Sequence, residues 1–380
     1  MNQKGQILAM KEFTILTINP GSSSTKYGLV KGDEIVLDET VDHDREEFAS
    51  CKTFADQKPI RVRLIKEALA KENVDLNQVD AVVGRGVGLY ACEGGTYEID
   101  DLVVEHATKD VAEIHHPATL GIQIAAELAK EIGVPAYYVN PMPVDELCDE
   151  ARMTGVKGLY RAARSHPLNQ KQVGIHHSEL MGKKYEDCNY VILHMGGGIS
   201  ITAHKKGRMI DTSRAGDAQG AICPNRSGDL CVDDVATLMK RGVSFEDIYE
   251  LASNRGGLVD LLGTDDVRKV KEMIADGDKF AKICYDAMIY TIVKWTAMMA
   301  GAMYGEVDGI LLTGGMAFDE ELVDRIKAGT QWIAPVYVYP GSFETEAMAS
   351  GAIRVLSGRE QVKKCTGKPV WDESMLGKEK

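Results

Sequence analysis

The sequence contains no C-x-x-C pair among its eight cysteines and no histidine pair with the H-E-x-x-H spacing of a zinc site. These absences exclude a disulfide framework and a structural metal, and they predict reduced, mostly buried thiols. The longest apolar run, 283–304, contains Asp286 and Lys294, so it favours a buried helix over a membrane span. The first twelve residues are polar and lack the apolar core of a signal peptide. We therefore expect a cytoplasmic protein.

The chain has fewer positive than negative residues: it contains 44 Lys and Arg residues and 57 Asp and Glu residues, so the net charge is −13. Such a chain is a poor candidate for binding nucleic acid or a membrane surface. Any anion that it handles must be bound by a few locally placed arginines and lysines. The length of 380 residues, with 44% hydrophobic and 27% charged residues, predicts a folded protein of two domains.

A strand–turn–strand pattern occurs twice in the chain. In both copies a glycine-containing turn follows the first strand, and the distances from Gly21 to Gly32 and from Gly196 to Gly207 are both eleven residues. The predicted strands are 14–19, 26–30 and 34–37 in the first copy and 190–195, 199–204 and 208–211 in the second. This duplication predicts two related domains that face each other across a cleft.

Helical periodicity follows each three-stranded start, over 60–71 and 119–132 in the first half. Short β runs alternate with the helices, at 81–83, 136–139, 309–312 and 336–339. This alternation is typical of a parallel sheet layered between helices, so the predicted fold class is α/β. We place the domain boundary between residues 145 and 166.

The two glycine turns have the composition of phosphate sites. Segment 19–26, NPGSSSTK, combines a glycine that permits close approach with three serine hydroxyls, although an ordinary serine-rich hairpin turn has the same composition. It is not a P-loop, because G-x-x-x-x-G-K-[ST] is absent. Segment 194–198, HMGGG, offers backbone amides and the donor His194, although a tight turn alone could also need these glycines. Their matched positions favour a nucleotide held between two domains.

Other candidate residues lie at the ends of predicted elements. Arg85 lies in GRGVG, which is not the dinucleotide fingerprint because its third glycine is misplaced, so we expect the arginine to point into a cleft. Arg226 lies in a second loop of turn residues. Gly314 and Gly315 suit a flat adenine or ribose, or simply a strand-to-helix turn. Glu344 is either a carboxylate at a helix N-terminus or a Mg²⁺ ligand.

These motifs, in this order, resemble the acetate/butyrate kinase (acetokinase) family, and the resemblance runs from about residue 13 to 356. HMGGG and segment 144–152 resemble butyrate kinases more than acetate kinases, which typically have HLGNG. The resemblance implies duplicated ribonuclease-H-like domains of the actin-like ATPase type, with a nucleotide cleft between them. It implies domains at 13–150, joined by helix 345–358, and at 151–344, followed by a tail at 359–380.

The resemblance also implies the reaction: butanoate and ATP give butanoyl phosphate and ADP, reversibly, with Mg²⁺ accompanying the nucleotide. A homo-oligomer of at least two chains is implied. A carboxylate is ionised at neutral pH, so the attack needs no general base, and the obstacle is repulsion between anions. The alternatives are an acetate, propionate or branched-chain acid kinase and, in another class, a non-catalytic actin-like nucleotide switch. In a switch, Arg85 and Arg226 would have no acceptor to bind.

By motif position, the resemblance assigns roles to individual residues. The catalytic residues are Arg85, His166 and Arg226, the substrate-binding residues are His115 and Asn140, and the Mg²⁺ ligands are Asn19 and Glu344. The nucleotide- and phosphate-binding residues are Ser22, Ser24, Lys26, His194, Gly196, Gly197, Gly198, Gly314 and Gly315. Asn140 stands where the family usually has an aspartate, and the nearest acidic residue, Asp145, is the alternative.

Overall fold

The computed structural model describes residues 12–376. The predicted absence of a signal peptide concerns residues 1–12 and the predicted tail extends to 380, so both lie partly outside the described residues. By its internal contacts the chain divides into two compact units. Unit 1 comprises residues 12–90, Gly95–Pro141 and Glu344–Pro369, and unit 2 comprises Ala91–Gly94, Met142–Phe343 and residues 370–376.

Unit 1 is built on a sheet with the strand order β3-β2-β1-β4-β6-β5. Its strands are β1 (Thr14–Pro20), β2 (Ser24–Lys31), β3 (Glu34–Asp42), β4 (Ala81–Gly84), β5 (Thr96–Glu98) and β6 (Ala136–Val139). The first three strands are antiparallel, whereas β4 runs parallel to β1 and β6 parallel to β4. Strands β4 and β6 are buried throughout, which is why they are short apolar runs in the sequence.

Unit 2 repeats this topology with the order β11-β10-β7-β8-β9. Its strands are β7 (Asn189–Met195), β8 (Ile199–Lys205), β9 (Arg208–Thr212), β10 (Gly309–Gly314) and β11 (Val336–Pro340). Strands β7, β8 and β9 correspond to β1, β2 and β3, and β10 and β11 correspond to β4 and β6. The second hairpin of each sheet contains a register shift, after Leu29 in one and after Ala203 in the other. The predicted duplication is confirmed, and β5 is the strand that the sequence pattern missed.

The helices of unit 1 are α1 (Arg45–Phe48), α2 (Phe54–Lys71), α3 (Asp101–Lys109), α4 (Leu120–Ile132) and, from the far end of the chain, α13 (Glu344–Leu356). Helix α2 begins six residues before the predicted start because Thr53 and Asp56 form a capping box. Its buried face contains Arg61, Val62 and Ile65. The sequence pattern had instead indicated the neighbouring positions 60, 64 and 68.

The helices of unit 2 are α5 (Asp149–Arg152), α6 (Pro167–Leu180), α7 (Val232–Lys240), α8 (Phe245–Glu250), α9 (Leu258–Leu262), α10 (Val267–Ala275), α11 (Lys279–Ala302) and α12 (Glu320–Thr330). The apolar run 283–304 lies largely in α11, whose residues Met288, Ile292 and Met299 belong to the core of the unit. Among residues 12–376, no helix is both long and apolar enough to cross a membrane.

All eight cysteines are free thiols, as predicted. Three are buried, four are half-buried and Cys231 is exposed, so the expectation of mostly buried thiols was too strong. One of the crossings between the two compact units lies between Pro141 and Met142, and the domain boundary placed between 145 and 166 stays a prediction. The bounds given above for the two homologous domains stay a prediction.

Candidate functional site

Strand pairing brings the first group of predicted residues to one edge of the sheet in unit 1. Ile18 of β1 pairs with Gly84 of β4, and the amide of Arg85 donates to the carbonyl of Ile18 at 2.9 Å. Asn19 and Arg85 therefore emerge side by side where the parallel strands end. Helix α13 begins at the same place with Glu344.

Asn19, Arg85 and Glu344 form a connected polar cluster. Asn19 Nδ2 donates to Glu344 Oε2 at 2.7 Å, and Arg85 Nη1 lies 3.2 Å from Glu344 Oε1. The Arg85 Nη1 atom is buried, and within the described chain it makes no hydrogen bond of good geometry beyond this ion pair. The cluster thus contains a guanidinium with donor capacity left for an anion.

The glycines around Arg85 pack the backbone closely. A methyl group on Gly84 would overlap the carbonyl of Gly121 in α4, and one on Gly86 would collide with Pro141. These glycines let helix α4 and the segment at Pro141 lie directly against the end of β4. Their role is close packing beside Arg85 and not a dinucleotide turn.

The serine-rich turn at residues 21–24, called turn 1 here, is held by groups that the sequence pattern did not indicate. Arg61 of α2 donates to the carbonyls of Gly21 and Ser24, at 3.0 and 3.3 Å. Ser22 Oγ lies 3.1 Å from His116 Nε2. Lys26 faces Asn19 across the strand pair and forms an ion pair with Asp38 at 2.8 Å.

The structure separates the two adjacent histidines that follow α3. His115 has a positive φ of 51° and an 83% exposed side chain, with Nδ1 3.9 Å from Asp110 Oδ2. His116 contacts turn 1, and its Nδ1 accepts from the amide of Ala118 at 3.1 Å. Burial and the nearby charge of Arg61 lower the pKa of His116, which favours the neutral ring with its proton on Nε2. His116 therefore lies beside turn 1, and the substrate-binding role of His115 stays a prediction.

Neither Asn140 nor Asp145 joins the Arg85 cluster. Asn140 is buried with φ 37°; its side-chain oxygen accepts from the amide of Gly95 at 2.7 Å and its own amide donates to the Gly95 carbonyl at 2.9 Å. Asp145, in unit 2, is buried in a two-pronged ion pair with Arg152, with N–O distances of 2.7 and 2.9 Å. Both residues are engaged in holding the backbone or a buried arginine.

In unit 2, pairing of Thr313 with His194 brings two glycine segments to one sheet edge. The first is the turn at residues 196–198, called turn 2 here, and the second is Gly314 and Gly315. Gly314 has φ 94°, and a methyl group there would overlap the carbonyl of Met195, so the position requires glycine. Gly315 has open space where a Cβ would lie, so a flat ligand could approach its backbone.

Two histidines stack beside turn 2. The rings of His166 and His194 have centroids 4.2 Å apart and an interplanar angle of 23°. His166 Nδ1 lies 2.7 Å from Ser200 Oγ, and His194 Nδ1 lies 2.9 Å from Asn169 Oδ1. Because each Nδ1 has a fixed partner, the orientation of both rings is set by the protein.

Arg226 lies directly over turn 2. Its Nε donates to the carbonyl of Ser253 at 3.2 Å, and a methyl group on Gly198 would overlap the guanidinium carbon. Gly257, with φ 65°, packs beneath the same loop, where any side chain would collide with the carbonyl of Cys223. Gly198 of turn 2 thus makes room for an arginine, which is more than the flexibility of a tight turn.

The structure therefore forms two clusters from the predicted residues. Unit 1 contains Asn19, Arg85 and Glu344 with turn 1 nearby, and unit 2 contains His166, His194, Arg226, turn 2 and Gly314. The residues that the sequence analysis missed are Arg61, His116, Asn169 and Ser200. Arg61 alone had a signal, because it stands four and eight residues before Ile65 and Leu69 on the buried face of an amphipathic helix.

Comparison with known proteins supports the fold and finds relatives that cover most of the chain. Residues 157–328 match the family model described as the acetokinase family. The chain is 40% identical over 352 residues to a protein of Clostridium botulinum (strain Eklund 17B / Type B) named "Probable butyrate kinase", covering 92% of this chain and 99% of that protein.

Solved structures share the fold at low sequence identity. The acetate kinase of Porphyromonas gingivalis has a TM-score of 0.75 and 20% identity, covering 90% of this chain and 100% of that one. A propionate kinase from Francisella tularensis subsp. tularensis SCHU S4 has a TM-score of 0.66 and 18% identity, covering 88% and 98%. These likenesses confirm the predicted α/β fold class of duplicated, actin-like domains.

Proposed function

The chain belongs to the acetokinase family, and on this premise we propose that it transfers a phosphoryl group between ATP and the carboxylate of a short-chain fatty acid. The acid that we propose is butanoate, with butanoyl phosphate and ADP as products of a reversible reaction. The observation that carries the proposal is the 40% identity to a probable butyrate kinase over 92% of the chain. The two clusters of cationic and hydrogen-bonding groups support it.

The chemistry needs little proton transfer. An oxygen of the ionised carboxylate attacks the γ-phosphorus, a new O–P bond forms, and the bond to the β-phosphate oxygen breaks as ADP leaves. The transition state spreads negative charge over the equatorial oxygens. Arg85 and Arg226 are the residues that we assign to neutralising this charge and to orienting the carboxylate, because guanidinium groups bind such oxygens with two parallel donors.

The stacked histidines take the supporting roles in unit 2. We assign His166 to the transferring phosphoryl group and His194, with the amides of turn 2, to the phosphates of the nucleotide. Gly314 and Gly315 provide the flat backbone for the adenosine moiety. In unit 1, Ser22, Ser24 and Lys26 are assigned to phosphate oxygens, and His115 and Asn140 stay predicted substrate-side residues.

The donor atoms of Asn19 and Glu344 fit Mg²⁺. An amide oxygen and a carboxylate share one cluster, and Mg²⁺ is commonly held by one or two carboxylates together with substrate phosphates. Within the described chain no three acidic, histidine or cysteine residues form a metal-binding group. When bound there, the metal would neutralise charge on the phosphate oxygens.

Hydroxylamine trapping tests the proposed reaction, because it converts an acyl phosphate into a hydroxamate. The purified chain is incubated with Mg-ATP and acetate, propionate, butanoate, isobutyrate or valerate in parallel. Each CH₂ buried in an apolar pocket contributes about 0.8 kcal/mol, so kcat/KM should rise about fourfold per carbon from acetate to butanoate and then fall.

The other outcomes discriminate between the alternatives. A maximum at acetate or propionate, or at isobutyrate, identifies a different short-chain acid as the substrate. ATP binding without hydroxamate formation from any acid identifies a nucleotide switch. The cytoplasmic location, the homo-oligomer and the nucleotide cleft stay predictions. Cell fractionation would test the location, sedimentation would test the oligomer, and a nucleotide-bound structure would test the cleft.

A further inference from the structure

Arg61 is a fully buried arginine without an acidic partner. Its exposed fraction is 0%, and it lies on the inward face of α2 with Ile65 and Leu69. Among the residues that the structure describes, no carboxylate forms an ion pair with it. Burying a charge of this kind is unfavourable unless its donors are hydrogen-bonded and a neighbouring dipole or anion offsets the charge.

One guanidinium nitrogen of Arg61, Nη1, bonds to turn 1, whereas Nε and Nη2 both donate to Gln57. Nη1 lies within 3.0 to 3.3 Å of the carbonyl oxygens of Gly21 and Ser24 and the hydroxyl of Thr25. Nη2 donates to Gln57 Oε1 at 2.8 Å. The guanidinium therefore holds two carbonyl oxygens of the turn toward the interior of unit 1.

The remaining groups of turn 1 complete this arrangement. The amide of His43 donates to the third inward carbonyl, that of Ser23, at 3.0 Å. Within residues 12–376 the amides of Ser22 and Ser23 donate to no protein acceptor. With the carbonyls of Gly21, Ser23 and Ser24 engaged by the protein, the amides of Ser22 and Ser23 and the serine hydroxyls are the groups of the turn that can bind an anion.

The charge on Arg61 persists at neutral pH. Burial lowers the pKa of its guanidinium only to about 10. The ring of Phe48 lies over the guanidinium at 5.6 Å, and the pKa of neighbouring His43 falls to about 4 because of burial and of Arg61 itself. His43 is therefore neutral, and the positive field behind turn 1 comes from Arg61.

We propose that Arg61 is a positioning residue for phosphate: it aligns the amides and hydroxyls of turn 1 toward an incoming phosphate group and supplies a buried positive charge behind them. The inference rests on the proposed function, in which turn 1 contacts the phosphates of ATP. It explains how a chain of net charge −13 can hold an anion at a turn that contains no cation of its own.

Binding calorimetry with ATP and with adenosine tests the proposal. Arg61→Met removes the charge at similar length, and Arg61→Lys keeps it. Arg61→Met should weaken ATP binding by about tenfold or more while adenosine affinity changes less than about twofold, and Arg61→Lys should recover part of the loss. Circular dichroism and thermal unfolding without ligand confirm that each variant is folded.

A structural role alone predicts a different pattern. Equal weakening of ATP and adenosine, or no weakening of either in a folded Arg61→Met variant, overturns the proposal. If that variant does not fold, Arg61→Lys is compared with Arg61→Gln, which keeps hydrogen-bond donors but no charge. Equal ATP affinity in these two also overturns it, and higher affinity in the lysine variant supports it.

The proposed function and the role of Arg61 can be refuted independently of each other. If the natural chain prefers ATP to adenosine and loses this preference in the Arg61 variants, yet produces no hydroxamate, then Arg61 acts on phosphate and the acyl kinase assignment is wrong. If hydroxamate forms and the preference for ATP is unchanged by the substitutions, the assignment holds and the role of Arg61 is wrong.

Discussion

Turn 1 and turn 2 occupy equivalent positions in the two sheets, but their arginines contact them in different ways. In turn 1 the arginine is Arg61, which is buried and bonded to carbonyls of the turn. In turn 2 the arginine is Arg226, which packs on the bare backbone of Gly198. The duplicated topology fixes where a turn lies, and the side chains decide which part of the turn its arginine contacts.

The glycines differ in purpose for the same reason. In turn 1 a methyl group on Gly21 would make only ordinary contacts, the nearest at 3.4 Å from the carbonyl oxygen of Ser24, and the other three residues are serines. Turn 2 needs glycine at position 198 because the guanidinium occupies the space of a Cβ. Substitutions in the two turns should therefore have unequal consequences.

The largest effect should come from Arg226. If its guanidinium neutralises the transferring phosphoryl group, Arg226→Ala should lower kcat by about 10³-fold or more, as removal of a transition-state arginine does in other phosphoryl transfers. Arg226→Lys should recover little, because an ammonium cannot reproduce the two-pronged geometry. Steady-state kinetics and unfolding curves measure both effects, and near-normal kcat in Arg226→Ala would remove the residue from the mechanism.

Gly198→Ala should have the next largest effect. The added methyl group overlaps the guanidinium carbon of Arg226 and must displace it, so we expect kcat to fall by about 10²-fold with the protein still folded. Gly301→Ala in α11 is the matched control, since no atom lies within 4 Å of its added methyl group. Similar activity in the two variants would show that the overlap is relieved without moving Arg226.

Substitutions of His116, in unit 1, should have a smaller and more specific effect, on the KM for ATP. His116→Asn keeps an acceptor for the Ala118 amide but loses the contact with Ser22, whereas His116→Gln can keep the donor to Ser22. We expect KM for ATP to rise about threefold to tenfold in the asparagine variant and less in the glutamine variant. If KM for ATP rises more in the glutamine variant, the role of His116 is limited to accepting from the amide of Ala118. His115→Asn, at the exposed neighbouring residue, is the control.

The smallest effect concerns stability and pH near turn 1. His43 faces Arg61 of α2, Phe48 of α1 and neighbouring Asp42, and its pKa falls from about 6.5 to about 4 on folding, chiefly through burial. Between these values the unfolded chain binds more protons, so the free energy of unfolding should decrease as the pH falls from 6.5 to 4, by on the order of 1–2 kcal/mol. Denaturant titrations of the natural chain and His43→Gln should show the steeper decrease in the natural chain.

Local patterns accounted for much of the architecture. Alternating and apolar runs predicted the strands of both sheets to within a few residues at most ends, and the equal glycine spacing predicted the duplication. Strand β5 was missed because three residues offer too little pattern. Helix α2 was placed too late because its start depends on the side chains of Thr53 and Asp56.

The candidate site was less predictable. Asn19 and Glu344 are separated by 325 residues, and only the family resemblance indicated that they belong together. No sequence pattern indicates which of His115 and His116 lies beside turn 1. His115 has a positive φ and His116 contacts Ser22, and both features depend on the folded backbone. The partners of Asn140 and Asp145 were equally inaccessible. Gly95 lies 45 residues from Asn140, and Arg152, only seven residues from Asp145, pairs with it through side chains whose orientation no local pattern indicates.

The sequence by itself determined the order of the strands along the chain, the positions of the glycine turns and the family. These follow from local backbone preferences and from motif order. Tertiary structure alone decided which arginine contacts each turn and through which atoms. That choice depends on packing between segments such as α2 and turn 1, where burial makes each hydrogen bond and charge count far more than in water.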